Sequence, residues 1–567
     1  MPRKHALVNG SVYLGYGRVI ERGYVVFSGG LIEDCGAATD FIPTSGTEIT
    51  DLAGKLVLPG LVDAHLHLAS YGRSLIEPDL AATSSLDQGL QVVRAFAAGL
   101  KPGEWLTGRG WDKQRWAMAE FPTRAMLDRA VGDRPVSLTS RDGHVAWLNT
   151  AALRELGLHE RVEAVEGGEV VTDSDGRPTG IFKENAAVVV WARLGGRNRE
   201  RTIEAIATGS RKLRSLGLVG AHTLEDRLGS EVMAEALARG KIAIKLFRLR
   251  EVHEPGEIAD LEPAPGATCI KTYADGTLGS QTASMLAPYC GQPANLGIPA
   301  LTPGKLHEIV FRALAKGFGV AVHAIGDRAT REVLAAYEDA RSCSDERPAA
   351  DRSAQPKVHP AVQPSPRPAG GAALLRVEHA QIVDPLDIPR FAQHRIVASM
   401  QPIHLVSDRH VADKYWGPRS ATAYAWKRIM DAGGAVAFGS DAPIESPDPL
   451  RGMHAAVARC SPSAPEEGPW YPDERIQAWQ AVDCYTVGSA AAAYGVANMC
   501  DAVGGLTDSA GWRGGPSDRL GDGKIRPGAP ADLTLLDRDI LGSSDPQALL
   551  DAAVVGTVVG GDLEFNP

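Results

Sequence analysis

Cysteine is scarce in this chain, seven residues in 567. The number is odd and none of the spacings is that of a zinc finger, so a disulfide-stapled scaffold is excluded and reduced thiols packed in a core are expected. Basic charge is not in excess either. Lys and Arg total 59 against 69 Asp and Glu, a net charge of −10, which argues against a nucleic-acid partner or an anionic membrane surface. No uninterrupted apolar run reaches the roughly 18 residues of a membrane-spanning helix. The opening Met1-Pro-Arg-Lys-His leads into no long apolar h-region, so a cytoplasmic location is expected. Internal repeats are absent. What remains, 44% hydrophobic and 23% charged residues, is the composition of a soluble globular protein with material for two or three structural units.

The most informative stretch is Leu58-Pro-Gly-Leu-Val-Asp-Ala-His65-Leu-His67-Leu68. It sets two imidazoles two residues apart at the end of a turn-bounded apolar run that reads as a buried strand. Side chains alternate along a strand, so His65 and His67 share one face and can grip one cation. Four further apolar runs end in polar residues of catalytic type: one at Lys271, leading to Asp275; one at His323, leading to Asp327; one at Glu378-His379; and one at Ser440-Asp441. Their separations fit one padded or two lean strand-helix units of about thirty residues each. In an eightfold barrel, catalytic side chains sit at the carboxyl ends of the strands, where these residues fall.

Residues 5–56 alternate short apolar stretches with glycine turns and read as hairpin strands, as does the last stretch of the chain. About two hundred residues separate His67 from Lys271, more than the intervening barrel units need, so an insertion is expected over 74–200, with a helix-like run from Gln88 to Leu100. Residues 341–373 carry many prolines and no periodic pattern, the composition of a flexible loop. A Gly-, Ser- and Asp-rich stretch spans 504–523.

Nine segments in order carry a resemblance over nearly the whole chain: Gly60-Leu-Val-Asp-Ala-His-Leu-His, Gly110-Trp-Asp112, Arg141-Asp-Gly-His144, Pro178-Thr-Gly-Ile-Phe-Lys-Glu184, Lys271-Thr-Tyr-Ala-Asp-Gly-Thr-Leu-Gly-Ser280, His323-Ala-Ile-Gly-Asp327, Glu378-His379, Met400-Gln-Pro-Ile-His404 and Gly439-Ser-Asp-Ala-Pro443. With them the chain resembles the amidohydrolase superfamily, and within it the amidohydrolase family 3 branch that includes N-substituted formamide deformylases. The resemblance implies an α/β fold: a distorted (β/α)₈ TIM barrel over 57–73 and 201–504. It also implies a small β-sandwich built from both ends, 1–56 and 505–567, and an α/β insertion over 74–200 that covers the barrel mouth.

For the site, the resemblance implies one or two divalent ions, zinc foremost, held by His65, His67, Lys271, His323, His379 and Asp441. A lysine ammonium has no lone pair. Desolvation favours the neutral amine, and carbon dioxide converts that amine to a carbamate, the form implied for Lys271. Asp441 is implied as both ligand and catalytic proton carrier. Trp111, Asp112, His144, Asp275, Gln401 and His404 are expected near the substrate, with core packing or loop bracing as the other reading of the tryptophans and of Asp112 and His144. Cys269 is expected in the core, and His222 stays outside the ligand set because its register differs. The activity implied is hydrolysis, by metal-activated water, of a non-peptide C–N bond in a small molecule such as an N-formyl or N-acyl amine. An ester or lactone hydrolase and a catalytically silent binding scaffold stay open, as does a homodimer.

Overall fold

The computed structural model describes residues 3–141, 143–160, 162, 165, 167–195, 199–264, 266–345, 374–495 and 520–566. The chain divides into two compact units. One comprises Met1–Leu68, Ser210–Ser230 and Ile242–Pro567, the other Ala69–Gly209 and Glu231–Lys241.

The larger unit holds a near-closed sheet of eight parallel strands in sequential order: β1 (Leu61–Leu66), β2 (Leu218–Glu225), β3 (Lys245–Glu251), β4 (Cys269–Tyr273), β5 (Gly319–Ala324), β6 (Leu375–His379), β7 (Val397–Met400) and β8 (Ala435–Phe438). Every residue of β1, β2, β5, β6 and β7 is buried, as strands must be when helices cover one face and side chains fill the other. That is why they read as continuous apolar runs rather than alternating ones.

The helix Pro303–Ala315 shows how the sequence builds the outer layer. The Thr302 hydroxyl accepts from Lys305 N, Pro303 occupies the first helical position, and Leu306, Ile309, Val310, Ala313 and Leu314 form one buried stripe. Each fully buried Leu, Ile or Val on that stripe contributes about 1.5–3 kcal/mol, so Ile309→Asp would detach it.

The barrel closes at its carboxyl end. Asp441 N donates to His65 O (2.7 Å) and His67 N to Ala442 O (2.9 Å), joining the end of β8 to β1. The buried Asp63 carboxylate locks this seam by accepting from His65 N and Ser440 N. Gly439 is required there, since a Cβ would lie 2.5 Å from His65 N and 2.7 Å from Asp63 Oδ1.

A second sheet in the larger unit combines both ends of the chain. Leu56–Pro59 lies between Lys4–Gly15 on one side and Leu533–Leu536 on the other, and Val554–Val559 and Asp562–Phe565 extend it. Its core draws Leu7, Val25 and Phe27 from one end and Leu533, Leu535 and Val558 from the other.

The smaller unit is α/β: a five-stranded sheet ordered Gly168–Thr172, Pro178–Glu184, Val145–Leu148, Val136–Ser140, Leu106–Trp111. The helical run expected from Gln88 is the helix Leu86–Ala98, capped by Ser85. Residues 341–345 end the helix Asp327–Asp345; the rest of the Pro-rich stretch 341–373, and 504–519 of the Gly-rich one, lie outside the described residues. Among the described residues, no helix is long and apolar enough to cross a membrane.

Candidate metal centre

Seven side chains from the strand ends and the loops that follow them converge on a cavity of about 420 Å³ in the larger unit: His65, His67, Lys271, His323, His379, His404 and Asp441. Two of them leave their strands in an uncommon backbone conformation, with φ of 71° at His379 and 60° at Asp441. Left-handed φ is sparsely populated by residues other than glycine, and such positions cluster at functional sites. At His379 the consequence is visible. Consecutive residues of a regular strand point to opposite faces, yet Glu378 bonds His65 while the His379 ring lies 4.8 Å from the His65 ring.

Asp441 is the hub. Its Oδ1 lies 3.5 Å from His65 Nε2 and 3.4 Å from His67 Nε2, and its Oδ2 lies 3.3 Å from His404 Nε2. Two sets, His65-His67-Asp441 and His379-His404-Asp441, bring three donor atoms within 4.8 Å of one another, sharing the aspartate. Burial opposes the Asp441 carboxylate, but the hydrogen bonds and charges of His404, His65 and His67 outweigh it and hold this carboxyl well below its usual range.

The tautomers of the first pair follow from their partners. A carbonyl oxygen only accepts, so the His67 Nδ1, 3.0 Å from Leu224 O, carries the hydrogen. The His65 Nδ1 donates to Glu378 Oε2 at 2.5 Å, because that carboxylate is held ionised by Arg376 and His65 against its burial. With Nδ1 committed to an outer partner, each ring presents its Nε2 to the Asp441 carboxylate and the cavity. Against burial, Asp441 raises the pKa of His67, and a cation bound there would take the place of the hydrogen shared with the carboxylate. Behind Glu378 stands Arg376, fully buried on the same strand face, with all five N–H groups occupied. Nε meets Glu378 Oε1 (2.6 Å), Nη1 serves His222 Nδ1 and Ala492 O, and Nη2 serves Ala64 O and Ser399 Oγ.

Burial pushes His323 down to about 3 and His379 well below the usual imidazole range, so both are neutral. It pushes Lys271 down to about 8. The Lys271 ammonium has a distant contact, 3.5 Å to Thr272 O, and sits 4.4 Å over the Tyr273 ring. Two neutral imidazoles, an ionised carboxylate and an amine close to deprotonation suit metal ligation, while His67 and His404, whose pKa values Asp441 raises against their burial, would release a proton as a cation binds. These residues fit a divalent cation.

The expected substrate contacts divide. His404 lies within the donor cluster. Asp275 is buried beneath it, its carboxylate accepting from Ser284 N, Ile325 N and Gly326 N, so it braces the loop after β5. Gln401 is buried and donates to Ser399 O. In the smaller unit, Trp111 packs in the core against Trp116 and Trp147 and donates to Leu138 O. Asp112 caps the turn at Gln114 and Arg115, and His144 pairs with Glu184 at the surface. The sequence reading missed Arg376, Gln381 and Asp408. The first had a local signal, a charged residue two before Glu378 inside an apolar run; the other two had none.

Comparison with known proteins agrees with this geometry. The profile of the family described as the amidohydrolase family matches residues 48–563. The chain is 31% identical over 532 residues to the amidohydrolase YtcJ of Bacillus subtilis (strain 168), covering 92% of this chain and 91% of that one. It is 25% identical over 569 residues to the N-substituted formamide deformylase of Arthrobacter pascens, covering 96% and 94%. Among solved structures, an uncharacterized metal-dependent hydrolase from Pyrococcus horikoshii OT3 superimposes with a TM-score of 0.73 at 25% identity, covering 95% of this chain and 98% of the other.

Proposed function

Because this chain belongs to the amidohydrolase family, we propose that the cavity at the carboxyl end of its barrel is the active site of a metal-dependent hydrolase. Its reaction is cleavage of a non-peptide C–N bond in a small molecule, an N-formyl or N-acyl amine. The observation that carries this reading is the Asp441 carboxylate within 3.5 Å of three imidazole Nε2 atoms, two of them on rings whose Nδ1 is engaged by an outer partner.

His65, His67, His379 and Asp441 would hold the cation, with His404 or His323 completing the set. A bound divalent ion such as zinc supplies a lowered water pKa and a polarised carbonyl. Lys271 serves in this reading as a carbamate: its neutral Nζ forms a C–N bond to carbon dioxide, one proton leaves to solvent, and the product is a two-oxygen anion facing the cluster. Asp441, ionised, takes the proton of the attacking water and returns it to the leaving nitrogen, so that the amine departs neutral rather than as an anion. Asp275 and the Arg376–Glu378 pair act earlier than the chemistry, by fixing where His323 and His65 stand.

The test is elemental analysis followed by a panel of formamides, acylated amino acids, cyclic amides and esters. One to two equivalents of divalent metal and hydrolysis confined to C–N substrates are expected. Absence of metal, with no activity recovered on adding zinc, manganese or cobalt, would reject the reading; turnover of esters alone would favour the ester or lactone hydrolase. Lys271→Ala is expected to lose metal and turnover, with partial return of both on adding short carboxylic acids. Full metal content and an unchanged rate in that variant would make the lysine structural.

A further inference from the structure

One wall of the cavity has a one-sided hydrogen-bonding capacity. It is formed by Gln381, just beyond β6, and Asp408, one turn along the helix His404–Trp416 from His404, both of which line the cavity, with Tyr424 behind them. Gln381 Nε2 gives its two hydrogens to Asp408 Oδ2 and to the Tyr424 hydroxyl oxygen, the latter at 2.5 Å. The Tyr424 hydroxyl gives its own hydrogen to the same Asp408 Oδ2 at 2.7 Å. The reverse amide orientation would set Gln381 Oε1 against a carboxylate, so the orientation is fixed by Asp408.

Every hydrogen of this triangle is therefore used inside it. Two acceptors remain, Asp408 Oδ1 and Gln381 Oε1, with no partner among the described residues. Gln381 and Tyr424 are 5% and 2% exposed, so buried neighbours hold the half-buried Asp408 carboxylate in place. The rest of the lining is Leu224, Leu278, Ile325 and Ile444 with Tyr273, Thr277 and Gly279. Among the described lining residues the lysine or arginine is Lys271, which lies with the metal donors.

We propose that Gln381, Asp408 and Tyr424 form the specificity-determining subsite of this cavity, receiving a hydrogen-bond-donating nitrogen of the substrate, an ammonium or an N–H group. A substrate that places a carboxylate there meets two acceptors and a like charge. The preferred substrates are thus amides of amines that carry a second nitrogen, and acylated amino acids with a free carboxylate are disfavoured. This inference rests on the hydrolase reading of the same cavity.

The test uses the metal-reconstituted full chain and three N-formyl alkylamines of equal length ending in an ammonium, a methyl or a carboxylate. The expected order of kcat/KM is ammonium, methyl, carboxylate, with about tenfold or more between the ends, the scale of one hydrogen bond to a charged group. Asp408→Asn should compress that span to within about threefold, with its melting curve recorded alongside. A carboxylate-ended substrate as good as the ammonium-ended one overturns the proposal on the parent alone, whatever the variant does, and so does a variant that slows all three equally. If none of the three is hydrolysed, the broader substrate panel and the metal content decide the hydrolase reading. Calorimetric binding of the same compounds then decides the subsite: tighter ammonium binding supports it, and equal or undetectable binding of all three overturns it.

Discussion

His65 meets Glu378 at 2.5 Å with side chains 2% and 0% exposed, while His144 meets Glu184 at 2.9 Å with side chains 63% and 59% exposed. The two pairs have the same chemistry, and both were visible as motif residues in the sequence. Their surroundings separate them. In the barrel, Arg376 stands behind the carboxylate with every N–H occupied, so the pair is one link in a buried chain that sets a tautomer. In the smaller unit, water competes for both partners, which leaves an exposed hydrogen-bonded pair worth little. Burial, rather than pairing, decides which of the two histidines is held in a fixed orientation.

The comparison is broken most forcefully at its buried end. Glu378→Ala strands the Arg376 guanidinium without its counter-charge and is expected to destabilise the fold by about 3–5 kcal/mol, read from the denaturant midpoint; an unchanged midpoint would mean the pair contributes no more than the surface one. Trp111→Ala, in the core of the smaller unit, should be of similar size, about 3–5 kcal/mol, yet leave metal content per folded chain unchanged. Loss of metal in that variant would give Trp111 a place in the site that its packing does not indicate. Asp441→Asn keeps size and removes the basic oxygen, so turnover on the best panel substrate should fall by at least about a hundredfold, more than binding does. A folded, metal-loaded Asn variant as fast as its parent would reject the proton-carrier role. The smallest effect belongs to the exposed pair: His144→Ala should stay within about 0.5 kcal/mol, and a drop in kcat/KM with stability intact would return His144 to the substrate contacts.

The barrel and much of the donor cluster could be read in the sequence because the signal is local. A parallel strand buried on both faces is a continuous apolar run, and a histidine, lysine or aspartate ending such a run is conspicuous. His404 was visible by motif, but its approach to Asp441 depends on the helix His404–Trp416 starting there. Asp275 carries a motif position and still serves backbone amides of two loops; nothing local distinguishes an aspartate that holds N–H groups from one that faces a ligand. Gln381 and Asp408 were illegible for another reason. Gln381 follows His379 by two residues and Asp408 follows His404 by four, but their pairing arises from contacts 27 and 43 residues away. For Trp111 the sequence left core packing open beside a place near the substrate, and its packing is that of a core residue.

The terminal sheet imposes an order on synthesis. Strand Leu56–Pro59 has one partner in Lys4–Gly15, but its other, Leu533–Leu536, is made about 470 residues later. At typical translation speeds of about 5–20 residues per second, that side of the strand waits roughly half a minute to a minute and a half with its backbone N–H and C=O groups unclaimed. During that interval a nascent chain can pair with its neighbour on the same messenger. Yield of native protein should therefore respond to expression rate and to chaperone supply more than to the stability of the finished fold.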